Sequence, residues 1–262
     1  MKLTNNKTIL FITGAFVSHI CWDSWVDYFE QRGYHAIAPP WPYKDDLPRV
    51  LRERQPYDVD LADLTLTDLV DHYANFAINL PEKPIIIGHS LGGLIAQILI
   101  NRGLGSAGVG VHPIPPVGII PYEFTFLKST WKVLGLFSSL HNTLLMSFKD
   151  FQYSFVNEMP IHEQLIAYEK YAIPESKRVA RGGLTAAAKV DFDKEHAPLL
   201  LLSGSLDNLI PPHLINRIYK RYKKNASVLE YVEMANRNHA TLTQPGWENV
   251  ARYISNWLNK VS

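Results

Sequence analysis

Short apolar runs alternate along the chain with longer stretches in which apolar residues recur at helical spacing. The short runs are rich in strand-forming residues and predict strands at Thr8–Thr13, Tyr34–Ala38, Pro84–Gly88, Ala107–His112, Pro198–Ser203 and Ser227–Val232. The periodic stretches predict helices at about Trp22–Arg32, Thr67–Leu80, Leu91–Arg102, Pro212–Lys224 and Trp247–Asn259. Strand–helix alternation of this kind predicts an α/β protein with a mostly parallel central sheet flanked by helices.

The alternation is interrupted between residues 121 and 189. This stretch contains no convincing strand, and it is rich in aromatic residues such as Phe124, Trp131 and Phe151. We therefore predict a helical cap at 121–189, inserted into a core domain that is formed by residues 1–120 and 190–262. Packing of the cap itself is sufficient to explain most of these aromatic residues.

Composition and charge exclude several classes of protein. The chain has 262 residues and a formal net charge of +1, which gives no reason to expect a nucleic-acid partner. Its single cysteine, Cys21, cannot form an intramolecular disulfide, and no apolar run is long enough to be an integral membrane segment. Lys2 and Lys7 precede the apolar run Ile9–Ile12, but this run is short and no cleavage site follows it, so it is interpreted as a strand. A cytoplasmic location is expected by default.

A glycine-flanked serine carries the strongest chemical signal. The segment Gly88-His89-Ser90-Leu91-Gly92-Gly93 lies between a predicted strand and a predicted helix. A serine on such a sharp turn projects its hydroxyl above the sheet edge, and small residues at Gly88 and Gly92 allow the chain to turn. Ser90 is therefore predicted to be a nucleophile, with the amide of Leu91 at the helix N-terminus facing the developing negative charge.

A serine nucleophile needs a base and an acid that orients the base. Of the two histidines late in the chain, His213 begins a helix, whereas His239 lies in the loop after the last predicted strand. We therefore predict His239 as the base. Asp207 lies in the segment that follows the fifth predicted strand, Pro198–Ser203, and is predicted as the acid. The alternative acid position, after the fourth strand, reads His112-Pro113 and offers no carboxylate.

The loop after the first strand is expected to supply the second oxyanion donor. It reads Thr13-Gly14-Ala15-Phe16, and Ala15 is the predicted donor, with the amide of Phe16 as the alternative. Phe16, Trp41 and His89, which lie in or beside these loops, are candidate substrate contacts.

No cofactor or metal is predicted. The residues of the segment Gly103–Gly108 match the G-x-G-x-x-G pattern of dinucleotide-binding proteins. That pattern binds a pyrophosphate only where it follows a strand and begins a helix, whereas this segment follows a predicted helix and leads into a predicted strand. The segment His162–Ile166 lacks the second histidine of a zinc-binding helix.

Taken together, these motifs resemble the α/β-hydrolase superfamily, in particular its esterase, lipase and cofactor-free haloperoxidase-like branch. The resemblance extends over nearly the whole chain, although Thr13-Gly14 stands where the family usually has His-Gly. It implies an α/β-hydrolase fold with a helical cap over the active site. It also implies hydrolysis of small-molecule, ester-like substrates through an acyl-enzyme.

Other activities on the same residues stay open. Thioesterase, lactonase, C–C hydrolase and perhydrolase activity can share this triad, and hydroxynitrile lyase is a further option. A serine at position 90 disfavours the dehalogenases and epoxide hydrolases of this superfamily, which carry a carboxylate there. A protein of another class, a ligand receptor that keeps the triad but turns over slowly, is the remaining alternative. The oligomeric state is left open.

Overall fold

Six parallel strands form one central sheet in the computed structural model, which describes residues 8–135 and 138–261. The first seven and the last residue of the predicted core domain, and positions 136–137 of the predicted cap, lie outside the described residues. The spatial order of the strands is β2-β1-β3-β4-β5-β6. Their bounds are β1 Thr8–Ile12, β2 His35–Ile37, β3 Ile85–His89, β4 Ala107–Val111, β5 Leu199–Gly204 and β6 Leu229–Met234.

The strands confirm the apolar pattern, with small shifts of their ends. Every residue of β3, β4 and β5 is buried, as expected for continuously apolar strands that are covered on both faces. The second strand is shorter than predicted, and the last one begins and ends two residues later than predicted.

Helices cover the sheet, and the helices that flank the strands match the predictions. Thr65 and Asp68 cap one of them reciprocally, because the Thr65 hydroxyl accepts from the Asp68 amide and the Asp68 carboxylate accepts from the Thr65 amide. The core helices are α1 Asp23–Glu30, α2 Pro48–Arg54, α3 Val59–Asp63, α4 Leu66–Asn79, α5 Leu91–Asn101, α10 Pro212–Arg221 and α11 Trp247–Val261.

Two of these helices were not predicted. Helices α2 and α3 have 7 and 5 residues, which is too short for a helical period to emerge from the sequence.

The regular secondary structure described between β4 and β5 consists of helices. It contains α6 Phe124–Leu134, α7 Phe148–Ser154, α8 Ile161–Tyr171 and α9 Lys177–Gly182, followed by a 3₁₀ turn at Ala186–Ala188. Only isolated β-bridges occur in its described part, between Leu144 and Glu175 and between Ala172 and Val17 of the core. We call residues 121–189 the inserted segment below.

The order of the strands decides where a site can form. The chain passes from β1 outward to β2, then returns to place β3 on the other side of β1. In open parallel sheets, a crevice forms beyond the carboxyl ends of the two strands where the direction of winding changes. Here that crevice lies between the loop after β1 and the turn after β3.

Cys21 is buried against the core, and burial raises the pKa of its thiol well above the usual range. None of the helices in the described ranges has the length and apolar character needed to cross a lipid bilayer.

Candidate active site

Ser90 lies on a strained turn between β3 and α5. Its backbone has φ 56° and ψ −117°, which a residue with a side chain rarely adopts. Two glycines make this turn possible. A Cβ atom on Gly88 would lie 1.9 Å from the carbonyl oxygen of Gly92, and one on Gly92 would lie 2.1 Å from that of Ile12. The glycines predicted from the motif are therefore required by direct backbone contact.

His239 reaches Ser90 from the loop between β6 and α11. Its Nε2 lies 2.9 Å from Ser90 Oγ and its Nδ1 lies 2.8 Å from Asp207 Oδ2. The imidazole is fully buried. The ring of Phe155 from the inserted segment packs edge-on against it, with 4.8 Å between the two ring centroids. The fold thus brings together the three side chains predicted as base, acid and nucleophile, although their catalytic roles stay a prediction.

Asp207 is saturated with hydrogen bonds. Its Oδ1 accepts from the amides of Leu209 and Ile210, each at 2.8 Å, and its Oδ2 accepts from His239 and also from Nδ1 of His112 at 2.6 Å. Burial would raise the pKa of this carboxyl, but the nearby His239 imidazole and the hydrogen bonds from both histidines outweigh burial and lower the pKa below its usual range.

Sequence reasoning missed His112. It lies directly after β4, at the alternative acid position, where the sequence offers no carboxylate. A histidine there faces the same sheet edge as Asp207 and can donate to it, so its place after a strand was the available signal. Its φ of 49° lies in the left-handed region, a strained conformation for a residue with a side chain, and the hydrogen bond to Asp207 holds the ring in place.

The predicted oxyanion donors line the cavity beside Ser90. Leu91 is the first residue of α5, so its amide has no partner four residues earlier in the helix. Within the described ranges, the Ala15 amide donates to no acceptor, whereas the Phe16 amide donates to Glu175 Oε2 at 3.0 Å. The amide of Phe16, the alternative predicted donor, is therefore already engaged, which leaves the amide of Ala15 as the candidate.

An apolar cavity of about 270 Å³ opens at Ser90. Its walls come from the loop after β1, the segment 114–121 after β4, and helices α6 and α9. Among the described residues that line it, only Ser90 and Thr130 have polar side chains, and the Thr130 hydroxyl donates to the Phe126 carbonyl oxygen of its own helix. The cavity therefore favours uncharged, apolar groups next to the serine.

Two of the three predicted substrate contacts do not line this cavity. Phe16 does, but Trp41 is buried behind the loop Thr13–Phe16, the predicted oxyanion loop, where its Nε1 donates to the Thr13 carbonyl oxygen at 3.1 Å. His89 is buried behind Ser90, with its Nε2 2.8 Å from the carbonyl oxygen of His239. Successive side chains along a strand face opposite sides of the sheet, which accounts for His89, the last residue of β3, lying behind its neighbour Ser90.

His112, Asp207 and His239 could also be considered as metal ligands, since their nitrogen and oxygen atoms lie within 4.8 Å of one another. The separations of 2.6 and 2.8 Å from the carboxylate oxygen to the two Nδ1 atoms are those of hydrogen bonds. Two ligand atoms that each lie about 2.0–2.2 Å from one tetrahedral metal ion would be farther apart than this. This donor set therefore fits a shared proton acceptor better than a metal centre.

Two neutral histidines beneath the site predict a pH-dependent stability. Burial lowers the pKa of His89, aided by the neighbouring His239, and burial lowers that of His112 against the opposing effect of Asp207. Between these low values and about 6.5, the unfolded chain binds more protons than the folded one. We expect the free energy of unfolding to fall as the pH drops below about 6.5, by up to about 1.4 kcal/mol per pH unit for each imidazole.

Chemical denaturation between pH 7.5 and 5 measures this effect. His112→Asn removes one buried imidazole, keeps a donor to Asp207, and should flatten the dependence on pH. His162→Gln alters a histidine whose side chain is 72% exposed and should leave the dependence unchanged. A profile of His112→Asn identical to that of the wild type would contradict the assignment.

Comparisons with known proteins agree with this architecture. A sequence model described as the alpha/beta hydrolase family matches residues 9–251. None of the curated proteins matches.

Similar solved structures cover nearly the whole chain. An Arabidopsis methylesterase is 13% identical, with a TM-score of 0.67 and coverage of 97% of this chain and 99% of that one. A monoacylglycerol lipase from Paleococcus ferrophilus is 20% identical, with a TM-score of 0.68 and coverage of 97% and 95%. A tomato methylketone synthase variant in complex with β-ketoheptanoate is 16% identical, with a TM-score of 0.70 and coverage of 98% and 99%. At these identities the likeness shows the fold alone.

Proposed function

The chain belongs to the alpha/beta hydrolase family, and from this premise we propose that it is a serine hydrolase that cleaves carboxylic esters of modest, apolar substrates. One observation carries the proposal: the hydrogen-bonded line from Ser90 through His239 to Asp207, which ends at an apolar cavity. The three side chains come from loops that are far apart in the sequence. If these side chains only stabilised the fold, there would be no reason for them to meet at a serine in a strained backbone conformation.

In the proposed reaction, Ser90 Oγ attacks the ester carbonyl carbon while His239 Nε2 takes the hydroxyl proton. The amides of Leu91 and Ala15 donate to the oxyanion that forms. When the intermediate collapses, the protonated His239 gives its proton to the departing alcohol, and the acyl group stays on Ser90. Water then attacks the acyl-enzyme with His239 as base, which releases the acid and regenerates the serine.

The neighbouring histidines and their hydrogen bonds support the proposed role of Asp207. Because its lowered pKa keeps it ionised, its charge stabilises the imidazolium that His239 becomes in each step. Its hydrogen bond to Nδ1 leaves Nε2 as the nitrogen that faces Ser90.

A panel of p-nitrophenyl esters, thioesters, lactones and amides tests the proposed class. We expect short-chain to medium-chain apolar esters to be turned over best. Because no charged side chain among the described residues lines the cavity, we also expect acyl groups that end in a carboxylate to lose about tenfold or more in kcat/KM. Labelling of Ser90 by a fluorophosphonate, combined with negligible turnover of the whole panel, would favour a ligand receptor instead.

Met146 is predicted to limit the length of the substrate. Together with Val133 it lines both the cavity at Ser90 and a second cavity of about 530 Å³ in the inserted segment. Replacing Met146 by alanine removes part of this shared wall, so we expect the preference of the enzyme to move toward longer acyl chains. A gain of about tenfold in kcat/KM for a long-chain over a short-chain ester is expected, since a few buried methylenes contribute about 0.8 kcal/mol each.

Leu145→Ala is the matched control for this prediction. Leu145 lines only the second cavity, so its truncation should leave the chain-length profile unchanged. Equal profiles for Met146→Ala and the wild type would show that another residue closes the cavity.

A further inference from the structure

A buried ion pair connects the inserted segment to the core beside the oxyanion loop. Lys44 lies between β2 and α2, Glu175 lies between α8 and α9, and their side chains are only 3% and 0% exposed. Removing two such charges from water is costly, and a buried pair is by itself weak evidence for stability. The contacts of each partner indicate a more specific role.

Glu175 binds the backbone of the oxyanion loop. Its Oε2 accepts from the Phe16 amide at 3.0 Å, and its Oε1 accepts from the Ser176 amide at 2.8 Å. The Phe16 carbonyl oxygen in turn accepts from the Ile173 amide at 3.0 Å. Both backbone groups of Phe16 are therefore held by the inserted segment.

Phe16 needs this restraint because its φ is 66°, in the left-handed region that a bulky residue rarely adopts. A conformation of this kind persists only where surrounding contacts determine it. With the Phe16 amide turned to Glu175, the neighbouring Ala15 amide has no protein acceptor in the described ranges and lies at the cavity wall.

Lys44 connects Glu175 to the other end of the same loop. Its Nζ lies 3.7 Å from the centre of the Trp41 ring, and Trp41 Nε1 donates to the Thr13 carbonyl oxygen at 3.1 Å. Thr13 and Phe16, which flank Gly14 and Ala15, are thus fixed by side chains that meet at Lys44.

We propose that Lys44 and Glu175 are a positioning pair, which holds the loop Thr13–Phe16 in the conformation that presents the Ala15 amide to the oxyanion. This inference rests on the proposed function. Glu175 supplies two acceptor oxygens for two buried amides, which an apolar side chain would leave without a partner. Lys44 balances the charge of that carboxylate in a place that water does not reach.

Two neutral double variants isolate the contact with Phe16. Lys44→Met/Glu175→Gln removes both charges but keeps a side-chain oxygen that can accept from the Phe16 amide. Lys44→Met/Glu175→Leu removes both charges and the acceptor at similar volume. The concentration of competent sites in each preparation is first titrated with a fluorophosphonate taken to completion, so that unfolded protein does not count.

We expect the leucine variant to lose about 30-fold in kcat per titrated site relative to the glutamine variant, with KM changed by less than threefold. Loss of a whole oxyanion donor costs about 100- to 1,000-fold, and displacement of one should cost less. The affinity for a trifluoromethyl ketone, whose adduct with Ser90 carries an oxyanion, should weaken by the same factor as kcat/KM. A purely structural pair would move neither quantity per titrated site.

Equal kcat per site and equal ketone affinity in the two double variants would overturn this inference while leaving the proposed function intact. A wild-type protein that neither cleaves esters nor reacts with the fluorophosphonate would instead overturn the proposed function, and this inference with it.

Discussion

Replacing Ser90 by alanine is expected to lower kcat for apolar esters by about 10⁵- to 10⁶-fold, to the level left by binding and the oxyanion donors. The hydroxyl 2.9 Å from His239 is the proposed nucleophile, and no other hydroxyl except that of Thr130 lines the cavity in the described part of the chain. The alanine side chain fits without new contacts, so stability should change little. Steady-state rates and fluorophosphonate labelling measure the effect.

Ser106→Ala serves as the control for this substitution. Ser106 is exposed and precedes β4, at the opposite edge of the sheet from the cavity, so its loss should change neither rate nor labelling. Retention of even a tenth of the wild-type rate by Ser90→Ala would remove Ser90 from the mechanism.

Replacing Asp207 by asparagine is expected to lower kcat by about 10³- to 10⁴-fold. The carboxylate accepts four hydrogen bonds, two imidazole N–H groups on one oxygen and two backbone amides on the other. An amide group has one oxygen and one donor nitrogen, so either orientation sets an NH₂ against two donors. We therefore expect a loss of several kcal/mol in stability as well, at about 1–3 kcal/mol for each buried group left unpaired.

Measurement of kcat together with chemical denaturation separates the two losses. Asp193→Asn, which alters an exposed carboxylate at the other end of β5, should leave both quantities near wild type. A loss of less than tenfold in kcat for Asp207→Asn would contradict the role proposed for the acid.

Local patterns in the sequence were sufficient to predict the sheet and the turn at Ser90. The apolar runs determine which segments are covered on both faces, and a glycine two residues to each side of a serine between strand and helix specifies a sharp turn. Asp207 and His239 could be predicted because each follows a strand, and parallel strands bring such positions to one edge.

Contacts between distant segments could not be predicted from these patterns. Asp207 meets His112 across 95 positions of the chain, and Lys44 meets Glu175 across 131. No periodicity records such a pairing, since each partner reads as an ordinary polar residue in a loop. The position of Trp41 could not be predicted either. The sequence places it in a loop near the site, but it does not show on which side of the loop Thr13–Phe16 its ring packs.

The inserted segment is hydrogen-bonded to three of the loops that carry predicted site residues. The Phe155 carbonyl oxygen accepts from the Ala240 amide at 2.9 Å, next to His239. The Asn157 side chain donates to the Leu206 carbonyl oxygen at 2.8 Å, next to Asp207. With Glu175 at the oxyanion loop, this segment supports the geometry of the site as well as covering the cavity, so changes within it are expected to affect rate as well as substrate preference.

The buried position of the single cysteine makes the protein suitable for single-site spectroscopy without further engineering of its thiols. Because Cys21 is buried in the core and its thiol stays protonated, we expect maleimide and nitroxide reagents not to react with it. A thiol introduced by Leu184→Cys, at an exposed position on the rim of the cavity, would then be the only reactive one in the chain. A fluorophore or spin label attached there would report the opening and filling of the cavity in solution, in real time.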